Sequence, residues 1–240
     1  RNKREIPIMA INAGPKIVED GLVLCLDAAN RRSYPRTGTV WTDLTANKNN
    51  GTLTNMNGSN FSTDGGGSLT FDGTNENVQE AGSASNLLHE LSSLTISFWA
   101  NVSAYQANGT IAERFITSSS DATHPHSNWE IGLYNDNKNL VFRTDNEITE
   151  ASNSSSISLN RWYNIVYLLS GGYGKFIVNN EELANQTNDA ISISMTKTWK
   201  IGGLATRNFN GKMAIVSFYN RALSAEEIKR NYNATKWRFQ

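Results

Sequence analysis

Cysteine is nearly absent: Cys25 is the single thiol in 240 residues, so no disulfide framework can staple the chain. Histidine and proline are scarce too, with three and four residues. Charge is thin and balanced. Charged residues make up 18% of the chain, with 22 Lys plus Arg against 22 Asp plus Glu, which leaves no basic footprint for nucleic acid or an anionic membrane surface. No apolar run approaches the ~18 residues of a membrane span, so membrane insertion is not expected. What remains is a folding composition, 38% hydrophobic and 10% aromatic, in which Asn, Ser, Thr and Gly dominate the polar residues. Such residues populate turns and the loops that flank strands.

The chain opens with the basic Arg1-Asn2-Lys3-Arg4-Glu5 and the short apolar Ile6-Pro7-Ile8-Met9-Ala10-Ile11. Pro7 and Asn12 interrupt that stretch before it reaches the about 7–15 apolar residues of a secretory leader, and no small-x-small cleavage site follows, so no signal peptide is expected. Residues 1–20 read as an extended N-terminal arm that frays or docks on a partner, and residues 21–240 as one domain.

From Gly21 onward, short alternating segments are separated by Gly, Asn and Ser clusters, the pattern of a sandwich or barrel. About a dozen strands are expected. The clearest are Leu22–Asp27, Ser68–Phe71, Leu94–Val102, Thr110–Ile116, Trp129–Tyr134, Leu140–Thr144, Trp162–Leu169, Lys175–Val178, Thr198–Ile201 and Lys212–Asn220. Asn-Gly and Asp-Gly pairs such as Asn57-Gly58 and Asp72-Gly73 suit hairpin turns, and Gly65-Gly66-Gly67 and Gly171-Gly172 read as flexible connections. One helix is predicted after the capping box Ser224-Ala225-Glu226-Glu227, with Ile228 and Tyr232 forming its apolar stripe.

Several segments in order resemble the laminin-G-like, concanavalin-A-like jelly-roll family in its bacterial and bacteriophage version. They are Gly21 to Ala28, Trp41 to Leu53, Ser68 to Gly73, Leu94 to Trp99, Arg161 to Asn164, Phe176 to Glu181, and Phe209 through Tyr219-Asn220-Arg221-Ala222-Leu223-Ser224. The resemblance implies an all-β fold: a two-sheet antiparallel jelly-roll sandwich with one short C-terminal helix. It also implies glycan binding, usually without catalysis, and often a calcium ion. The opening Gly14 to Leu24 and the Ala28-Ala29-Asn30 segment look most like phage virion proteins.

Hydrolases of this fold resemble one another in a Glu-x-Asp-x-x-Glu strand, because acid and nucleophile must flank one bond at about 5–5.5 Å. Trp129-Glu130-Ile131-Gly132 has one carboxylate and no partner two residues on, so no enzyme is expected. Cys25, between Leu24 and Leu26, reads as a small packing residue. His124-Pro125-His126 pairs two imidazoles without evident third and fourth ligands. By resemblance, Asp27 and the loop from Asp43 to Gly51 would hold calcium, although Ala214 stands where many relatives carry an acid.

Alternation places Trp99 and Asn101, then Glu130 and Tyr134, then Arg143 on the sides of their strands opposite Ile96, Phe98, Trp129, Ile131, Leu140 and Phe142. A face carrying Trp99, Asn101, Glu130, Tyr134 and Arg143 would offer an aromatic platform and polar groups to a sugar. The expected function is host-glycan adhesion by a phage virion surface protein, on a tail fibre or the capsid exterior, made in the host cytoplasm and assembled as a homo-oligomer. The alternatives are a structural decoration protein whose partners are other virion proteins, and a carbohydrate-binding module of a secreted bacterial enzyme.

Overall fold

The computed structural model describes residues 15–81, 91–105, 111–118, 129–134, 139–144, 148–151, 157–183, 198–204 and 207–240. Two antiparallel sheets face each other. The first runs in the order Glu181–Glu182, Tyr173–Val178, Trp162–Ser170, Leu94–Val102, Asn210–Tyr219, Ser68–Asp72 and Phe61–Ser62. Leu22–Asp27 pairs with the C-terminal half of Asn210–Tyr219, beyond the stretch that Ser68–Asp72 occupies. The second sheet runs Ile148–Ala151, Leu140–Thr144, Trp129–Tyr134, Ile111–Ser118, Trp199–Ile201, Asn77–Glu80, Gly51–Thr54 and Val40–Trp41. The expected long strands are all present. The expectation missed short pieces such as Gly51–Thr54 and Asn77–Glu80, because two to four residues carry too little alternation to stand out.

Strict alternation puts Ile96, Phe98 and Ala100 of one sheet against Trp129, Ile131, Leu133 and Phe142 of the other, all buried. Aromatic rings bridge the layers. Phe142 stacks on Tyr167 at 4.0 Å between centroids and 3° between planes, and Phe98 meets Phe115 at 5.3 Å. Trp41, Trp129 and Trp199 are fully buried, each contributing the large apolar area that makes aromatic residues dominate core energetics.

The predicted helix spans Ala225–Thr235, followed by a single 3-10 turn, Lys236–Arg238. Its capping box forms as expected: the Glu227 amide donates to Ser224 Oγ at 3.3 Å, and the Ser224 amide donates to Glu227 Oε2 at 2.9 Å. This helix lies across the outer face of the first sheet, with Ile228 packed among Val166, Leu168, Ile177, Tyr219 and Leu223. The end of the N-terminal arm is docked here. The Val18 amide donates to Asn231 Oδ1, Tyr219 Oη donates to the Val18 carbonyl and Arg230 Nε donates to the Lys16 carbonyl. Residues 1–14 lie outside the described residues.

Gly65-Gly66-Gly67, expected as a flexible connection, is a site of close approach. Gly67 has φ +146°, and a Cβ there would lie 2.6 Å from Ala29 Cα; one on Gly65 would lie 2.7 Å from the Phe239 ring. No side chain fits.

Candidate functional site

The five residues expected on one recognition face belong to two sheets and do not converge. Trp99 and Asn101 lie in Leu94–Val102 of the first sheet, on its outer side. Trp99 is 4% exposed. Its ring stacks on Phe239 at 4.0 Å and on Tyr232 at 5.8 Å, and its Nε1 donates to Thr235 Oγ1 at 3.0 Å. The C-terminal helix and the residues after it have taken the aromatic platform, because an apolar outer face buries more area against a helix than against water. Asn101, also buried, sits between Lys212 and Trp162 in register. Neither is available to a sugar.

Beneath the helix a cavity of about 230 Å³ is lined partly by Cys25, Ser97, Asn164, Ser217 and Asn231. Cys25 is 6% exposed, and burial pushes its thiol up to about 12. That agrees with a packing role and leaves little thiolate for chemistry.

The two carboxylates expected to hold calcium serve separate sets of donors. Asp43 is buried and accepts from the amides of Cys25, Thr45 and Asn49 and from Thr45 Oγ1, so it organises its own loop. Asp27 accepts from the Ala29 amide and from Arg238 Nη1, at 3.0 Å to Oδ1 and 3.1 Å to Oδ2. Ala214, fully buried in the strand whose main chain accepts from the Ala28 amide, offers a methyl group. This donor set does not fit the six to eight oxygens calcium requires. Among the described residues no group of three or more His, Cys, Asp or Glu is placed to hold a metal. His124 and His126 lie outside the described residues.

Glu130 and Arg143 stand on the outer face of the second sheet, directly opposite each other. Register extends that pair into a row: Glu130 faces Thr117, Thr117 faces Lys200, Lys200 faces Gln79 and Gln79 faces Thr52. At the usual strand spacing the row from Arg143 to Thr52 covers about 24 Å. Glu130 is held by Arg114, with Nε and Oε2 2.5 Å apart and both side chains 3% exposed. Arg143, Lys200 and Gln79 are half-buried. Lys200 has no ion-pair or hydrogen-bond partner among the described residues, and burial holds its ammonium below the usual lysine range. The Tyr134 side chain lies outside the described residues.

Lys200, Thr117 and Gln79 were missed by sequence reasoning. Alternation with the buried Trp199 and Ile201 could have assigned Lys200 to an outer face, but nothing local reveals that Trp199–Ile201 inserts between Ile111–Ser118 and Asn77–Glu80.

Comparison with known proteins agrees with this architecture. No curated protein sequence matches the chain. Among solved structures, domain 4 of a GH43 extracellular arabinanase from Geobacillus stearothermophilus, in complex with arabinotriose, is similar with a TM-score of 0.66 at 15% identity, covering 90% of this chain and 100% of that domain. Trypanosoma rangeli sialidase is similar with a TM-score of 0.64 at 13% identity over 90% of this chain, which spans only 33% of the sialidase. The binding domain of Paraclostridial Mosquitocidal Protein 1 gives 0.63 at 18% identity, over 89% of this chain and 52% of that one. At these identities the likeness concerns the fold. The sequence signature of the concanavalin A-like lectin/glucanases superfamily matches residues 72–229, well over half of the chain, and the chain belongs to that superfamily.

Proposed function

We propose that this chain is a non-catalytic carbohydrate-binding protein that holds glycans on the outer face of its second sheet, along Arg143, Lys200 and Gln79. The observation that carries this is Lys200. A half-buried ammonium without a partner among the described residues, beside the Gln79 amide in register, has donors to give to sugar oxygens or a sugar carboxylate. The arabinotriose complex of the similar arabinanase domain supports the reading. The non-catalytic part rests on Glu130: its charge is held by Arg114, and Gly132 follows two residues on, so this strand supplies no second carboxylate for the two-carboxylate chemistry of glycoside cleavage.

The setting we propose is a phage virion surface, tail fibre or capsid exterior, where this face adheres to host glycan; it rests on the resemblance of the opening Gly14 to Leu24 and of the Ala28-Ala29-Asn30 segment. A second reading, a binding module of a secreted bacterial enzyme, is favoured by the arabinanase domain, which the chain matches along its whole length.

The test is retention on an array of neutral and acidic glycans for the wild-type chain and for Lys200→Ala with Arg143→Ala. Loss of a charge-assisted hydrogen bond costs about 1.5–3 kcal/mol, so affinity should fall at least about tenfold with little change in Tm. Glycan binding that survives the double substitution would remove this face, and absence of any binding would favour a structural decoration protein.

A further inference from the structure

The Arg238 guanidinium is surrounded by oxygens. Besides the Asp27 carboxylate, Nε donates to the Gly65 carbonyl at 3.0 Å and Nη2 donates to the Gly67 carbonyl at 3.3 Å. The arginine side chain is 8% exposed and that of Asp27 22%. One carboxylate and two main-chain carbonyls converging on a positive charge is the kind of oxygen set that hard cations select. The set is built for close approach. The glycine backbone passes through φ +62°, +73° and +146°, and its neighbours leave no room for a Cβ at Gly65 or Gly67.

Charge decides which cation fits. A divalent ion would leave this cage with an uncompensated positive charge, because Asp27 is its one acid and Ala214 adds no side-chain oxygen. A guanidinium balances Asp27 one for one, and its donors lie in a fixed plane that can reach separate acceptors. The segment that carries it is anchored on both sides. Tyr232 and Phe239 both stack on Trp99, and Asp64, just before the glycines, accepts from Trp162 Nε1 at 3.1 Å and from Lys212 Nζ at 2.8 Å.

We propose that the C-terminal segment is an intramolecular ligand whose Arg238 guanidinium fills a cation site formed by Asp27, Gly65 and Gly67, and so replaces the calcium ion that the fold otherwise implies. Held this way, the contact between the first strand, the glycine loop and the chain's last residues needs no divalent ion.

The experiment follows Tm in calcium and in chelator, together with terbium luminescence sensitised by the nearby Trp162, for the wild-type chain, Arg238→Ala, Arg238→Lys and Arg238→Ala with Asp27→Asn. Wild type should show the same Tm in both conditions and no terbium signal. Arg238→Ala should melt several degrees lower in calcium and in chelator alike and give no saturable terbium signal, because one acid and two carbonyls do not hold a multivalent ion, and adding Asp27→Asn should recover part of the loss by removing the carboxylate left without its counter-charge. Arg238→Lys, which keeps the charge and loses the planar fork, should fall between and stay calcium-independent; it also reports if the alanine variant does not fold. The proposal is overturned by a calcium-dependent rise in Tm of the wild-type or the Arg238→Ala protein that Asp27→Asn removes, or by an Arg238→Ala protein that melts as the wild type does.

Discussion

Phe239, next to the last residue of the sequence, stacks on Trp99 in the middle of a central strand, with ring centroids 4.0 Å apart and planes 14° from parallel. Trp162 adds a tilted contact to the same ring at 5.0 Å. Phe239 is therefore part of the packed structure, and on the outer face of the first sheet Trp99 is covered by the protein itself.

Phe239→Ala should lower stability by about 1–2 kcal/mol, because an aromatic pair contributes about 0.5–1.5 kcal/mol beyond its buried area. Trp237→Ala should change it little, since Trp237 is 69% exposed. Thermal denaturation checks both, and a red shift of tryptophan emission in the first variant alone would report the uncovering of Trp99.

The buried Arg114–Glu130 pair makes a second expectation. Glu130→Gln alone removes the carboxylate 2.5 Å from a buried guanidinium and should cost about 3–5 kcal/mol, whereas Arg114→Met combined with Glu130→Leu should recover most of that loss. Urea unfolding of the single and double variants measures the difference. Equal losses would show that the pair is not coupled.

Acid should weaken the helix junction. Arg221 donates to both Glu227 oxygens at 2.9 and 2.7 Å and, with the Ser224 amide, holds that carboxyl down at about 2 from an ordinary 4.5. A depressed carboxyl contributes stability that is present above its unfolded value, so the contribution should be full above about pH 4.5 and disappear as pH falls toward about 2. Asp64 acts in the same direction: burial opposes its charge, but Lys212 and Trp162 outweigh it and hold it low. In Glu227→Gln the slope of stability against pH in this window should be shallower, read by denaturation at fixed pH steps.

Two glycines should respond differently to alanine. Gly67→Ala combines a left-handed φ with a Cβ 2.6 Å from backbone and should destabilise severely; Gly38→Ala, at φ +77° with nothing within 4 Å, should cost only about 1–2 kcal/mol of conformational strain. Comparable Tm shifts in the two variants would contradict the close approach of the glycine loop to Ala29.

Local chemistry makes much of this protein legible in its residues alone. Alternating Ile96, Phe98 and Ala100 against Thr95, Ser97 and Trp99 gives one strand and its two faces, since the side-chain period of a strand is two. The Ser224 to Glu227 box gives the start of the helix, because both partners lie within one turn. Which strands are neighbours was not legible. Trp99 and Glu130 are both outward residues, but alternation is blind to the sheet in which a strand lies, so outward positions from two sheets read as one face. Nor does any local pattern say that Arg238 meets Asp27 across 211 positions, or that Phe239 covers Trp99. Those contacts exist because closing the sandwich brings the last residues beside the first strand, and long-range register is a property of the folded chain alone.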